Sequence, residues 1–503
     1  MDWLSLKSGS DVRGTAVGKD RKLTTDVAKA LGVAFVRKIE KQLNKPAGKI
    51  VISLGRDSRI SGPELLQAAA EGVSAAGATA MDFGICTTPA MFMSTITPGF
   101  ETDGAVMITA SHHPWDKNGL KFFTSGGGLE GAEIAEMLKQ AQTIDLRDHE
   151  GLGSIVKKAF LPVYMNQLAS RIRAGLKTED PKPLKGLHVV VDAGNGAGGF
   201  YADLMNQLGA CTEGSQFLDP DGYFPNHIPN PENPDAMKSL QSAVLKAGAD
   251  LGVIFDADCD RAALVDADGK EMNRNRLIAL ISAILLEDEQ GQIIVTDSVT
   301  SSGLAEFIRK SGGIHYRYKR GYRNVIDEAV RLNHEGKKCP LAIETSGHAA
   351  LRENHFLDDG MYLVTVLIIR AMLMKRKGER LGNLISGLKE PEESTEIRLN
   401  ITDPDFVSTG KALINSVTDH ASADPEWHIA PDNREGIRIS FDIRGVKDAG
   451  WFLLRLSVHD PVMPINAESD CSGGVQEILR NLYSVMKDCQ GIDLAPLKNA
   501  AGI

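Results

Sequence analysis

The sequence lacks a hydrophobic run long enough to cross a bilayer and lacks an excess of basic residues. Its most apolar stretch, Met361–Met374, is interrupted by Arg370 and is shorter than the ~20 residues that a membrane helix needs. Over 503 residues, 66 acidic side chains outnumber 56 basic ones, which gives a net charge of −10. We therefore expect neither a nucleic-acid nor a membrane partner, while a local basic pocket for a small anion stays possible.

The six cysteines are scattered and form no C-x-x-C pair. This distribution argues against a cysteine-based zinc site or a dense disulfide framework and favours free thiols in a reducing compartment. The opening segment, MDWLSLKSGSDVRG, has no apolar core of the kind found in signal peptides, so no signal or transit peptide is expected. A cytoplasmic location is the resulting prediction.

What the sequence does contain is an alternation of β-branched runs with amphipathic helical stretches, which predicts an α/β fold. Three strands run into a polar turn and a helix, at residues 49–59, 187–196 and 292–302. Each is followed by an apolar strand, a polar loop and a second apolar run, at residues 103–123, 249–266 and 339–351. This threefold recurrence predicts three similar units with their polar loops in equivalent positions.

The last hundred residues differ from the rest. Residues 388–400 predict a linker and a strand, and two alternating segments, EGIRISFDIRG and GWFLLRLSV, predict further strands. SGGVQEILRNLYSVMKD follows with apolar residues at helical spacing. The tail beyond Cys489 shows little pattern, and we expect it to be loosely held.

A serine loop, Thr109–Pro114, follows one predicted buried strand. Ser111 at the end of a strand and beside His112 is suited to act as a nucleophile or phosphoryl carrier. Lys121, ten residues on, can return to the same place. The alternative is a solvated loop whose polar side chains make only turn hydrogen bonds.

The segment Asp256–Arg261 places Asp256, Asp258 and Asp260 at alternate positions after an apolar run. Oxygen ligands at this density favour Mg²⁺, and without a cation the clustered carboxylates would raise the pKa of at least one of them. Arg261 adds a fixed positive charge. A charged turn between strands is the alternative interpretation.

Two further patterns are weaker. Glu344 and Ser346 are two apart on an extended loop and so point the same way, which suits neighbouring hydroxyls of a sugar; a polar loop is the alternative. Arg455, Ser457 and His459 share one face of a strand and would form a phosphate clamp, unless they are only its polar outer face.

The run Gly194–Gly199 formally matches G-x-G-x-x-G, a pattern found at dinucleotide sites. It lies mid-chain, and no clear ribose-binding acid follows about twenty residues on. A structural turn is the preferred interpretation.

Taken in order, these loops resemble the α-D-phosphohexomutase superfamily, most closely its phosphomannomutase/phosphoglucomutase branch. The resemblance covers nearly the whole chain and is carried by SDVRG (10–14), TASHHP (109–114), NGLK (118–121), DADCDR (256–261), KRGY (319–322), ETSGH (344–348) and GWFLLRLSVHDP (450–461). It implies four domains: three related mixed-sheet α/β units around a central cleft and a C-terminal α+β domain. The expected ranges are 1–158 (phosphoserine), 159–290 (metal), 291–392 (sugar) and 393–503 (phosphate).

The resemblance also implies an activity, the interconversion of hexose 1-phosphate and hexose 6-phosphate through a hexose 1,6-bisphosphate, which would also be the activator. Ser111 would be phosphorylated in the resting enzyme and, with Asp256, Asp258 and Asp260, would hold one Mg²⁺. On this hypothesis the catalytic residues are Ser111, Lys121 as general base, His112 and Arg261. The substrate-binding residues are Arg13, Lys319, Glu344, Ser346, His348, Arg455, Ser457 and His459.

Some residues depart from the family pattern. His113 stands where Asn is usual, Ala257 and Cys259 replace small residues, and Val458 and His459 end the phosphate loop unusually. His113 and His459 keep open the alternative of an inactive sugar-phosphate-binding protein, and the D-x-D loop after an apolar strand keeps open a metal-dependent sugar-phosphate phosphatase. Glucose, mannose and an amino sugar are not distinguished, and the assembly is expected to be a monomer or a small homo-oligomer.

Overall fold

The structure is a computed structural model that describes residues 2–148, 153–457 and 460–503. Two compact units divide the chain. The first contains residues 1–273 and 346–383, and the second contains residues 274–345 and 384–503.

An eight-stranded mixed sheet opens the first unit. Seven strands follow one another in the order Lys7–Ser8, Asp11–Thr15, Lys117–Thr124, Gly104–Ile108, Val51–Arg56, Thr79–Ile85 and Ser154–Lys157, and Gly127–Gly128 pairs with Lys117–Thr124. Val51–Arg56 is parallel to Gly104–Ile108, which is antiparallel to Lys117–Thr124. Parallel neighbours end at the same edge of a sheet, so the turn after Arg56 and the loop after Ile108 lie side by side.

Helices cover this sheet because each presents an apolar face. They are Thr25–Leu43, Gly62–Ala75, Thr88–Met93 and Gly131–Gln142. The first begins where the Thr24 side chain accepts a hydrogen bond from the Val27 amide and ends at Asn44 in the left-handed conformation. Its buried residues pack with Ile52, Leu54 and Phe122 of the sheet in one hydrophobic core.

The remainder of the first unit repeats the same arrangement with fewer strands. Its four-stranded sheet has the order Glu271–Met272, Ala262–Asp266, Leu251–Phe255 and Val189–Asp192. Leu251–Phe255 is again parallel to one neighbour and antiparallel to the strand that follows it in sequence. The helices of this part are Leu161–Leu176, Phe200–Gln207, Pro234–Ala247 and Gly360–Lys375, and a short strand spans Ala349–Leu351.

The second unit begins with three parallel strands. Ile293–Thr296 lies between Ile314–Arg317 and Leu341–Ile343 and is parallel to both. Its helices are Asn275–Asp288, Ser302–Lys310 and Tyr322–His334. The strand, polar loop and helix at residues 292–302 therefore have the same form as those at 49–59 and 187–196, which confirms the predicted recurrence.

A five-stranded antiparallel sheet forms the C-terminal part of the second unit. Its order is Glu393–Asn400, Val462–Ser469, Val446–Leu454, Ile437–Ile443 and His428–Ile429. Helices Phe406–Ala423, Gly474–Met486 and Ala495–Ala500 accompany it. Three α/β parts and a sheet-rich C-terminal part confirm the predicted fold class, while the exact domain boundaries stay a prediction.

The expectation of a loosely held C-terminal tail was wrong. Residues Ala495–Ala500 form a helix, and Leu497 and Ala501 are fully buried in the C-terminal core. Two apolar side chains anchor this short helix. Because two residues are too few to form a recognisable helical period, the sequence pattern did not predict the helix. Among the helices that the structure describes, none is long and apolar enough to span a membrane.

Replacing Phe452 with alanine is expected to lower the free energy of unfolding of the C-terminal part by about 3–5 kcal/mol. The Phe452 ring is fully buried and lies 5.8 Å from the ring centroids of Trp427 and Phe441. Urea unfolding followed by tryptophan fluorescence measures the change. Val446→Ala is the control, because Val446 lies on the same strand but is 49% exposed; equal losses in both variants would contradict this description of the core.

Candidate active site

Ser111 lies at the carboxyl edge of the first sheet, buried and in an unusual backbone conformation. Its φ of +51° is in the left-handed region, which non-glycine residues rarely adopt. The hydroxyl donates a hydrogen bond to Asp256 Oδ2 at 2.8 Å and accepts one from Arg261 Nη2 at 2.9 Å. The structure thus brings the serine loop and the aspartate loop together, as the sequence predicted.

The three aspartates form one buried cluster. Each side chain offers an oxygen, and these atoms lie within 4.8 Å of one another. Asp258 Oδ1 and Asp260 Oδ1 are buried without a hydrogen-bond partner, a costly arrangement unless a cation binds them. An all-carboxylate donor set fits a hard divalent cation such as Mg²⁺.

Two of these carboxylates have pKa values that are shifted in opposite directions. Burial and the neighbouring Asp260 raise the pKa of Asp256 well above its usual value. Burial acts the same way on Asp260, but the charges of Lys121, His348 and Arg261 outweigh it and hold the pKa of Asp260 well below its usual value. The raised pKa of Asp256 has the cause that the sequence predicted, the repulsion between clustered carboxylates, in addition to burial.

Lys121 reaches the cluster from the strand antiparallel to the one that precedes Ser111. Its Nζ lies 3.1 Å from Asp258 Oδ2 and also donates a hydrogen bond to Asp260. Both carboxylates favour the charged ammonium form. Lys121 therefore compensates part of the negative charge of the aspartates.

Arg261 supplies the second buried positive charge. Its Nε and Nη2 donate to Asp256 Oδ2 at 3.1 and 3.0 Å, and Nη2 also lies 2.5 Å from His112 Nδ1. Burial and the charge of Arg261 lower the pKa of His112 to about 2, so the ring is neutral. Since Arg261 donates to Nδ1, the His112 proton is on Nε2.

His348 extends the cluster within the first unit. Its Nδ1 is 2.5 Å from Asp358 Oδ2, and one atom of each lies within 4.8 Å of an Asp260 oxygen. Although burial favours the neutral ring, Asp358 and Asp260 raise the pKa of His348 to about 9. The sequence did not indicate Asp358, because its contact with His348, ten residues away, depends on how the chain folds back between them.

Two other residues of the first unit were predicted to bind substrate. Arg13 forms an ion pair with Asp11 at 2.8 Å, and its charge also contributes to lowering the pKa of His112 and His113. Ser346 is buried. Thr88, which was not predicted, donates a hydrogen bond to Asp258 Oδ2 at 2.6 Å and fixes that carboxylate from a separate helix.

The Gly194–Gly199 run packs beneath the aspartate loop. A Cβ on Gly196 would lie 2.7 Å from Ala257 Cα, and the Ala197 amide donates to the Ala257 carbonyl at 2.8 Å. A glycine is required here because two backbones approach closely. These contacts support the structural interpretation over a dinucleotide site.

In the second unit, Arg455 and Ser457 lie just beyond a strand end, so the prediction that they share one face of the strand was wrong. Val446–Leu454 stops one residue before Arg455. Burial and the nearby charge of Arg320 lower the pKa of Arg455, while Glu435 opposes this shift. Ser457 bonds through its amide to the Val462 carbonyl at 2.9 Å.

The other predicted residues of this unit are Glu344, Lys319 and His459. Glu344 Oε1 accepts a hydrogen bond from the Gly321 amide at 2.6 Å. Lys319 Nζ lies 6.0 Å from the Tyr318 ring centroid. Arg320, which sequence reasoning did not assign, is the basic residue that acts on Arg455. His459 lies outside the described residues.

Comparison with known proteins agrees with this fold. Family models of phosphoglucomutase/phosphomannomutase α/β/α domains I, II and III match residues 5–148, 162–269 and 273–390. A phosphoglucomutase of Neisseria gonorrhoeae is 30% identical over 480 residues, 95% of each chain. A phosphomannomutase/phosphoglucomutase of Pseudomonas putida is 30% identical over 94% of each chain.

A solved structure is similar over the same extent. The crystal structure of a phosphoglucomutase/phosphomannomutase family protein from Burkholderia thailandensis superposes with a TM-score of 0.79 at 29% identity, covering 97% of this chain and 98% of that one. The fold is that of an α-D-phosphohexomutase. The chain belongs to the phosphoglucomutase/phosphomannomutase family.

Mg²⁺ is expected to raise the thermal midpoint of the protein, because a cation that binds only the folded state stabilises it by about 2.7 kcal/mol at a hundredfold excess over Kd. Asp258→Asn should lose most of this rise. Calorimetry with and without Mg²⁺ measures it, and Asp268→Asn, at an exposed position of the same part of the chain, should keep it. An undiminished rise in Asp258→Asn would contradict the assignment of the metal site.

Proposed function

We propose that the protein is a phosphohexomutase that interconverts hexose 1-phosphates and hexose 6-phosphates, with glucose, mannose or both as the sugar. The observation that carries the proposal is the buried Ser111 hydroxyl, bonded to Asp256 and Arg261 inside a three-carboxylate cluster. The names of the relatives, phosphoglucomutase and phosphomannomutase/phosphoglucomutase, support the same activity.

Asp256, Asp258 and Asp260 would hold Mg²⁺, joined by an oxygen of phosphorylated Ser111. When bound, the ion supplies neutralisation of charge on the transferring phosphoryl group. The remaining chemistry falls to side chains of this chain, mainly through positioning and charge compensation.

In the first half-reaction, the phosphoryl group moves from Ser111 Oγ to the free hydroxyl of a hexose phosphate. The P–Oγ bond breaks, a new bond to the sugar oxygen forms, and a hexose 1,6-bisphosphate results. Return of the other phosphoryl group to Ser111 completes the isomerisation without net release of phosphate. Arg261, 2.9 Å from Oγ, compensates negative charge that develops on this oxygen.

Lys121 Nζ is the proposed acceptor of the proton that the attacking sugar hydroxyl loses. Its two carboxylate partners favour the charged form, so it acts as a base only while those carboxylates are neutralised by another positive charge. His112, neutral and bonded to Arg261, orients the guanidinium beside Ser111 rather than carrying charge itself.

Arg455, Ser457 and His459 would bind the phosphate that is not being transferred, and Arg320 would add a second guanidinium to this group. Glu344, Ser346 and His348 would bind sugar hydroxyls, and Arg13 and Lys319 would add positive charge. This remote binding supplies energy for orientation at the reacting end. The support is the burial of Arg455 next to Arg320.

Three further points belong to the proposal. Hexose 1,6-bisphosphate would act as an activator by phosphorylating Ser111. We also propose a cytoplasmic location. All six cysteines are free in the structure, and free thiols are typical of a reducing compartment. The protein would act on its small substrates as a monomer or small homo-oligomer, with no nucleic-acid or membrane partner.

Ser111→Ala is expected to abolish isomerisation, because in the part of the chain that the structure describes no other hydroxyl bonds both Asp256 and Arg261. Conversion of glucose 1-phosphate and mannose 1-phosphate to the 6-phosphates, with a trace of the bisphosphate, measures the loss. Ser58→Ala, in a neighbouring turn of the same unit, is the control. Turnover in Ser111→Ala near the wild-type rate, or release of inorganic phosphate by the wild type in place of isomerisation, would contradict the proposal.

Arg455→Ala is expected to raise KM about 10- to 100-fold, because a charged hydrogen bond to phosphate contributes roughly 1.5–3 kcal/mol. The bisphosphate should also escape more often, which trapping in a single-turnover reaction measures. Arg398→Ala serves as the control, since that side chain is 71% exposed in the same part of the chain. An unchanged KM in Arg455→Ala would contradict the assignment of the phosphate clamp.

A further inference from the structure

A fully buried arginine beside the serine loop is not used by the reaction described above. Arg59 lies in the turn after Val51–Arg56, has no exposed surface, and is next to the serine loop because its strand is parallel to Gly104–Ile108. Burial of a guanidinium is expensive unless its donors are bonded. The question is therefore what those donors bind.

All five N–H groups of the Arg59 guanidinium have partners. The Nε group donates to Asp57 Oδ2 at 3.2 Å. Nη1 donates to the carbonyls of Pro114 and Lys117 at 2.8 and 2.9 Å. Nη2 donates to the carbonyls of Ser111 and His113, the latter at 2.8 Å. With its donors engaged in this way, Arg59 has none left for a substrate phosphate.

Asp57 fixes the other side of the same serine. Its Oδ2 accepts from Thr109 Oγ1 at 2.7 Å, and Thr109 Oγ1 in turn accepts from the Ser111 amide at 2.8 Å. The Ser111 carbonyl bonds to Arg59. The amide and the carbonyl of one residue are thus both connected to a single buried ion pair.

These hydrogen bonds explain why Ser111 keeps a left-handed backbone conformation. A φ of +51° is unfavourable for serine, and it persists only where the surroundings hold it. The same backbone conformation directs Oγ toward Asp256 and Arg261.

We propose that Arg59, together with Asp57 and Thr109, is a positioning group that holds Ser111 in the conformation required for phosphoryl transfer. The inference rests on the proposed function, since it concerns the geometry of that reaction. Arg59 touches no reacting atom and so acts through the loop that carries Ser111. Loss of this control is expected to lower kcat with little change in KM.

Arg59→Lys is the first test. Lysine keeps the charge but has only three donors on one atom, too few to span four carbonyls. We expect kcat to fall about 100-fold, as for a nucleophile displaced by about 1 Å, with KM changed less than about threefold. Uptake of a phosphoryl group by Ser111 from glucose 1,6-bisphosphate, measured by intact mass, should slow in proportion. Arg56→Lys, at the end of the preceding strand, is the control.

If Arg59→Lys does not fold, Thr109→Val and Thr109→Ser test whether this group positions Ser111. Valine has the shape of threonine but cannot bond the Ser111 amide, and we expect kcat to fall about tenfold; serine keeps the hydroxyl and should restore kcat. A folded Arg59→Lys protein with kcat and phosphoryl uptake within threefold of the wild type, or equal kcat in the two Thr109 variants, would overturn the inference. A wild type that neither isomerises nor takes up phosphoryl would instead overturn the proposed function, and this inference with it.

Discussion

Charge compensation among buried groups is the constraint on which this protein depends. Three aspartates with almost no exposed surface lie together, and carboxylates so placed repel one another strongly. Lys121 and Arg261 reach them from two different sheets of the first unit. Arg261 belongs to the aspartate loop itself, whereas Lys121 comes from a strand of the first sheet, so the complete cluster exists only where the two sheets of this unit lie together.

The same constraint explains why so many polar residues around the site are buried and bonded. Thr88 fixes Asp258, Arg261 fixes Asp256, and Asp358 fixes His348. Each bond limits one side chain to one orientation. Asp258 Oδ1 and Asp260 Oδ1 are left without a hydrogen bond. A bound cation would therefore be stabilised most at these two oxygens.

The sequence predicted the parts of the site that are local. Ser111 and the three aspartates each follow a strand within a few residues, and their chemistry is evident from residue type and spacing. Arg59 was not recognised, because its role depends on which strand is the neighbour of Gly104–Ile108. Pairing between strands about fifty residues apart leaves no local signal.

Other differences have similar causes. Arg320 acts on Arg455, an interaction that depends on the backbone direction of the loop and therefore gave no signal in the sequence. The buried C-terminal helix was missed because Leu497 and Ala501 contribute too little periodicity. Conversely, the threefold recurrence of strand, loop and helix was predicted well, since it is repeated in the hydrophobic pattern itself.

Arg59 donates hydrogen bonds to four carbonyls of the loop that carries Ser111. These bonds restrict how far that loop can move during the reaction. A segment anchored at so many points cannot swing to meet first one end of a sugar and then the other. Under the proposed function, one stationary oxygen would serve both directions of transfer. The bound intermediate itself would then make the half-turn, and the protein would have to retain it during that motion without binding either end too tightly.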